Sequence, residues 1–165
     1  MFFIISHKER ESSLAFNKDI ILLNYDKSHS QDDKHKIRSV VNFCRSKNPN
    51  DVVLYISCCY SMLLDSKEEI LKKYLSMKTG ILFSKRRDDR SLAEKYSQDK
   101  MFNSCQNARI NSNFYIGTTR DIYNLWQDYL NSTEKLTEIV YLNRLCMFNY
   151  STLMKVDTQR QIFFN

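Results

Sequence analysis

Two groups of side chains in this sequence have the types and the placement to act on a ligand. Ser57, Cys58, Cys59, Tyr60 and Ser61 follow directly on an apolar run, Asp51-Val-Val-Leu-Tyr-Ile56, that begins after the turn signal Asn48-Pro49-Asn50. Val52 to Tyr55 are consecutive strand formers, too few for a helix, and read as a buried central strand. Ligands of open α/β sheets bind at the carboxyl ends of such strands, so these five hydroxyl and thiol groups decide much of what the chain can do. The second group, Lys85, Arg86, Arg87 and Arg90, follows another short apolar run, Ile81 to Ser84. Its sharp reading is a phosphate or nucleic-acid contact. Its plain reading is a solvated loop compensated by Asp88 and Asp89. His7 ends a third apolar run and reads as a surface loop histidine, because a single His without a partner does no defined chemistry.

Composition limits the classes open to this chain. A length of 165 residues suits one domain with a single core, and 42% hydrophobic with 27% charged residues is ordinary for a folded globular chain. Only two glycines and one proline are present, which argues against linkers and against any Gly-rich phosphate loop. The net charge of +6 is that of a solvated basic surface and is also compatible with an anionic partner. Five cysteines at 44, 58, 59, 105 and 146 form no C-x-x-C pair and have no histidine at ligand spacing, so neither a zinc site nor a disulfide framework is expected. No run approaches a membrane span, and the apolar run at the N-terminus is too short for a signal-peptide core. Free thiols and the lack of an export signal place the expected compartment as intracellular, in the cytoplasm.

The positioning elements alternate. Phe2 to Ser6 and Ile20 to Leu23 read as strands. From Lys34 to Lys47 the apolar residues Ile37, Val40, Val41 and Cys44 recur at i, i+3, i+4, i+7, one face of a helix that Asp32 or Asp33 can cap. Ser66 can cap a helix over Lys67 to Ser76, with Glu68 and Glu69 at its start and Lys72 and Lys73 at its end. Arg109 to Gly117 reads as a loop entering a strand. Thr118 or Thr119 can cap a helix from Arg120 to Leu130 with Ile122, Leu125, Trp126 and Tyr129 on its apolar face, an aromatic stripe that belongs to a core. A helix over Thr137 to Phe148 and short strands at Leu153 to Asp157 and Gln161 to Phe164 complete the chain. Alternating strands and helices predict an α/β fold with a largely parallel sheet flanked by helices.

In their order these blocks resemble the glycosyltransferase domain of procollagen galactosyltransferases and lysyl hydroxylases, the PLOD type, which has a GT-A fold, Rossmann-like in architecture. Phe2 to Glu9 resembles that family's opening strand and loop. Lys36 and Ile37 followed by Asp51 to Tyr55 resemble its lysine-isoleucine, helix and acidic-strand block. Ile110 to Gly117 is similar to a leucine, asparagine, serine, glycine pattern that ends at a second glycine, and Val156 to Asn165 to its closing turn. The resemblance implies a single domain over residues 1–165.

The family uses manganese and a UDP-sugar, the metal neutralising the charge of the departing UDP through acidic residues of a D-x-D-type motif. By this resemblance the motif's place is taken by Ser57-Cys58-Cys59-Tyr60-Ser61. Tyr60 stands for the tyrosine between the aspartates, Asn111 and Ser112 keep the later loop, and Asn113 replaces a glycine. Glu138 is what remains of an acidic pair, and the chain ends at Asn165, before the family's later metal-binding histidine. No carboxylate lies between Asp51 and Asp65, and the thiols of Cys58 and Cys59 are too soft for manganese or magnesium.

The expectation is therefore a shortened, catalytically inactive relative without cofactor or metal, kept as a binding or structural module with a protein partner. Asn111, Ser112, Lys85, Arg86, Arg87 and Arg90 are its candidate ligand-binding residues. One alternative is a metal-independent UDP-sugar transferase in which the basic cluster replaces the cation. Another is a basic nucleic-acid-binding module. Richness in Asn, Lys, Ile, Ser and Tyr is what an AT-rich genome encodes, and a small trimmed enzyme domain suits a virus.

Overall fold

The structure, a computed structural model, describes residues 1–7, 20–23, 34–57, 62–63, 65–86, 109–147 and 153–164. These fall into two compact units, one made of residues 1–60 and 113–135, the other of 61–112 and 136–165.

The first unit is built around strand β1, Phe2–Ser6, which pairs in parallel with β2, Ile20–Leu22, on one side and with β3, Val52–Ile56, on the other. Every residue of β3 is buried, as its unbroken apolar sequence requires. β6, Ile110–Thr118, runs antiparallel to β3, with Val52 opposite Thr118 and Ile56 opposite Phe114. It is an antiparallel member of the largely parallel sheet that the pattern of elements predicts. Gly117 lies inside this strand, opposite Val53, and pairing continues through Thr118.

Helix α1, Lys34–Arg45, buries the four residues its periodicity marks, Ile37, Val40, Val41 and Cys44. It packs against α3, Thr119–Asn131, whose inner face is Ile122, Leu125, Trp126 and Tyr129. Thr118 caps α3, its hydroxyl accepting the Asp121 N–H at 3.1 Å. The turn before β3 seats on the same helix end: Thr119 N–H donates to the Asp51 carbonyl at 2.8 Å and Arg120 N–H to that of Pro49 at 3.2 Å. Ile4, Ile5, Val53, Leu54 and Ile116 are fully enclosed in this core, each contributing about 1.5–3 kcal/mol.

In the second unit β5, Ile81–Lys85, pairs in parallel with β7, Met154–Asp157. Short strands β4, Met62–Leu63, and β8, Phe163–Phe164, pair antiparallel. Helix α2, Lys67–Ser76, starts at Ser66, whose side chain accepts the Glu69 N–H, and α4 covers Glu138–Met147. Tyr74 anchors the turn after α2 by donating its hydroxyl to the Gly80 carbonyl at 2.7 Å. Of the eight strands described, six form a mostly parallel sheet, which with the four helices gives an α/β arrangement consistent with a GT-A-like fold. The capping aspartates Asp32 and Asp33 lie outside the described residues.

Candidate functional site

At the carboxyl end of β1 and β3 the structure assembles a polar group that the sequence hides. His7 follows β1 directly and is half-buried. Its Nδ1 lies 3.0 Å from the Tyr55 hydroxyl, and its Nε2 meets Ser39 Oγ on α1. Ser39 donates its only hydroxyl proton to the Lys36 carbonyl at 2.7 Å. Assigning the Ser39 proton to the Lys36 carbonyl places the imidazole proton on Nε2 and leaves Nδ1 to accept from Tyr55. Burial, together with the Lys36 ammonium nearby, holds the imidazole down at about 4. At neutral pH it is uncharged, with both nitrogens engaged.

The group is braced from inside the unit. The Tyr55 ring stacks on Tyr115 with centroids 4.8 Å apart, and buried Trp126 donates its indole N–H to the Tyr115 hydroxyl at 3.0 Å. The reading of His7 as a surface loop residue thus needs correction: it is tied to β3 and to α1. Ser39, three residues after Lys36 on α1, is a site residue that sequence reasoning missed. Lys36 was singled out by motif, and the i, i+3 spacing that brings Ser39 Oγ to its carbonyl was the available signal.

Ser57, the first of the five residues after β3, is half-buried, and its N–H donates to the Asn113 carbonyl at 2.8 Å. Cys58, Cys59, Tyr60 and Ser61 lie outside the described residues. On the second unit's part of β6, Ser112 is buried and Asn111 half-buried. Of the basic cluster, Lys85 ends β5 half-buried and Arg86 is exposed, its N–H donating to the Arg109 carbonyl at 2.8 Å. Arg86 and Arg109 are thus adjacent in space, while Arg87 and Arg90 lie outside the described residues.

Three described carboxylates, Asp51, Asp65 and Asp157, are engaged within the chain. Asp51 pairs through Oδ1 with the Met1 amino group at 2.7 Å and through Oδ2 accepts the Asn48 N–H at 3.1 Å. Those contacts draw its pKa below the usual carboxylate value. Asp65 pairs with Lys73. Asp157, buried at the end of β7, accepts three backbone N–H groups, from Gln161 at 2.8 Å, Ile162 at 2.8 Å and Phe163 at 3.0 Å. It closes the turn that brings Phe163 into β8, with Arg160 in the left-handed region at φ 51°.

The PLOD GT domain model matches residues 12–165, nearly the whole chain. The chain belongs to the PLOD-type glycosyltransferase domain family. No curated protein matches it. The metal that PLOD-type chemistry implies can be tested against the side chains present. Hydroxyls and thiols at 57–61 are not ligands for a hard divalent cation, which takes carboxylate and carbonyl oxygens. Asp51 and Asp65, the carboxylates that bracket this stretch, already hold an amine and a lysine. The donor set does not fit manganese.

Cysteine usage also needs correction. Cys44 is free and buried, its thiol pushed up to about 12 by burial, whereas Cys146 is disulfide-bonded. The expectation of free thiols throughout does not hold for this residue. Among the described residues no helix is long and apolar enough to cross a membrane.

Proposed function

We propose that this chain is a non-catalytic PLOD-type glycosyltransferase-like domain, a single functional domain over residues 1–165, that works by binding a protein partner. The observation that carries this reading is the chemistry at the end of β3. Ser57 to Ser61 supply no carboxylate, and Asp51 and Asp65 on either side of them are tied into ion pairs. Without a cation the charge developing on a departing UDP lacks stabilisation worth several kcal/mol, a rate loss of about 10²–10⁴-fold. The imidazole of His7 does not replace it, since at neutral pH it carries no positive charge.

A second reading rests on the adjacency of Arg86 and Arg109, two guanidinium-bearing residues joined through their backbones at the end of β5. It is a metal-independent UDP-sugar transferase in which arginines neutralise the diphosphate. A radiolabelled UDP-sugar assay, for hydrolysis and transfer, with and without manganese, separates the two. The non-catalytic reading expects background rates in both arms. Turnover that persists without manganese and disappears in Arg86→Ala/Arg87→Ala overturns it in favour of the second.

A further inference from the structure

The first unit carries a cavity at the end of β3 opposite to His7. It is an open recess of about 220 Å³ between the C-terminal end of α1 and the start of α3, lined by Cys44, Arg45, Lys47, Pro49, Thr119, Arg120 and Tyr123. Pockets for drug-sized molecules or cofactors run roughly 300–1,000 Å³. This one is below that range and matches the size of a single side chain. Its floor is apolar: Cys44 is buried with a thiol that stays protonated, the Pro49 ring stands at one wall, and Thr119 has its N–H and hydroxyl engaged with the 48–51 turn.

The rim is basic, and among the described residues its three cations form no ion pair. Arg45 lies over the Tyr123 ring at 5.8 Å, and the Lys47 ammonium over the Phe3 and Phe43 rings, 5.0 Å from each. Arg120 is exposed. Among the described residues none of these three cations forms an ion pair, and none of the lining residues is acidic. The two acidic groups closest in sequence are committed elsewhere. Asp51, whose charge is felt by Lys47, binds the Met1 amine and the Asn48 N–H, and Asp121 accepts the Thr118 hydroxyl at 2.7 Å. Cation–π placement orients the two basic groups without cancelling their charge.

The geometry points to this cavity as the docking site for an acidic peptide segment of a protein partner, with one aromatic or large aliphatic side chain seated in the cavity and flanking carboxylates on Arg45, Lys47 and Arg120. An apolar anchor surrounded by a charged rim is the arrangement in which a small contact contributes most of an interface's binding energy. The uncancelled positive rim selects acidic partners and speeds their encounter. Nucleic acid fits less well: three cations around a one-residue cavity do not form a track along a phosphate backbone. This inference rests on the reading of the chain as a protein-binding module and names the partner's chemistry.

The test is a fluorescence-anisotropy titration of the whole chain with a fluorescein-labelled pentapeptide, one phenylalanine flanked on each side by two glutamates. Saturable binding that weakens with added salt is expected. Replacing the phenylalanine by alanine, or titrating an Arg45→Glu/Arg120→Glu variant, is expected to weaken it about tenfold or more. Both arginines are exposed, and the neutral Arg45→Gln/Arg120→Gln pair repeats the measurement without charge reversal. The assignment is overturned by the absence of saturation at low salt, or by binding that neither variant changes. It is overturned equally by a single-stranded oligonucleotide of matching charge that binds as tightly and is lost in the same variants. The UDP-sugar assay on the same preparation keeps the two readings apart. Turnover there removes the non-catalytic reading whatever the peptide does, while a failed titration with no turnover removes only this docking site.

Discussion

The two ends of β3 have opposite characters. At its carboxyl end, where an α/β fold offers its ligand site, the polar groups satisfy one another: Tyr55 to His7, His7 to Ser39, Ser39 to the Lys36 carbonyl. At its amino end three cations line an apolar recess and, among the described residues, form no ion pair. A polar network with every member paired rigidifies a core, whereas uncancelled charge beside an apolar recess remains available to a partner. Among the described residues, then, the two ends of one strand differ in what their side chains leave available.

That contrast can be broken from the inside first. Trp126→Ala removes the buried ring whose N–H holds the Tyr115 hydroxyl, and with it the support under Tyr55. A loss of about 3–5 kcal/mol is expected in denaturant unfolding, and a smaller loss than a peripheral substitution gives would deny the carboxyl end its structural role.

Next in size is pH. The folded His7 titrates at about 4 against an ordinary value of 6.5, so between those values the unfolded chain binds a proton that the folded chain does not. Stability is therefore complete above pH 6.5 and falls as the pH drops towards 4. After discounting for solvent screening of a half-exposed ring, the loss is about 1–2 kcal/mol. Unfolding midpoints measured from pH 7 to 4 should show that slope in the wild-type chain and lack its His7 share in His7→Gln.

Tyr55→Phe takes away the donor to Nδ1 and should cost about 0.5–1.5 kcal/mol. Because that hydrogen bond favours the neutral ring, the His7 titration followed by NMR should move upward in this variant; a downward move would reverse the tautomer assigned from Ser39. The smallest expected effect lies at the other end. Arg45→Glu/Arg120→Glu should leave stability within about 0.5 kcal/mol of wild type, while peptide binding is lost, since these exposed cations act on a partner and not on the fold.

Much of the fold was legible because its signals are local. The buried face of α1 was written in Ile37, Val40, Val41 and Cys44, that of α3 in Ile122, Leu125, Trp126 and Tyr129, and Ser66 and Thr118 marked helix starts by cap chemistry. Each of these depends on neighbours within two helical turns. The direction of β6 was not legible, because an apolar run does not say which way it pairs. The candidate site was less legible still. His7 reaches Tyr55 across 48 residues and Ser39 across 32, and no spacing rule connects them. Asp157 was visible as a motif residue, but its three backbone donors belong to a turn that exists only once β8 has met β4.

By itself the sequence determined the α/β class, the membership in the PLOD-type family and the absence of a carboxylate from 57 to 61, since composition, periodicity and motif are properties of the chain. Tertiary structure alone decided that a neutral His7 joins the carboxyl end of β3 to α1 and that three cations line an open recess at its amino end. Hydrogen bonding and desolvation act between residues far apart in sequence, and only folding sets their distances.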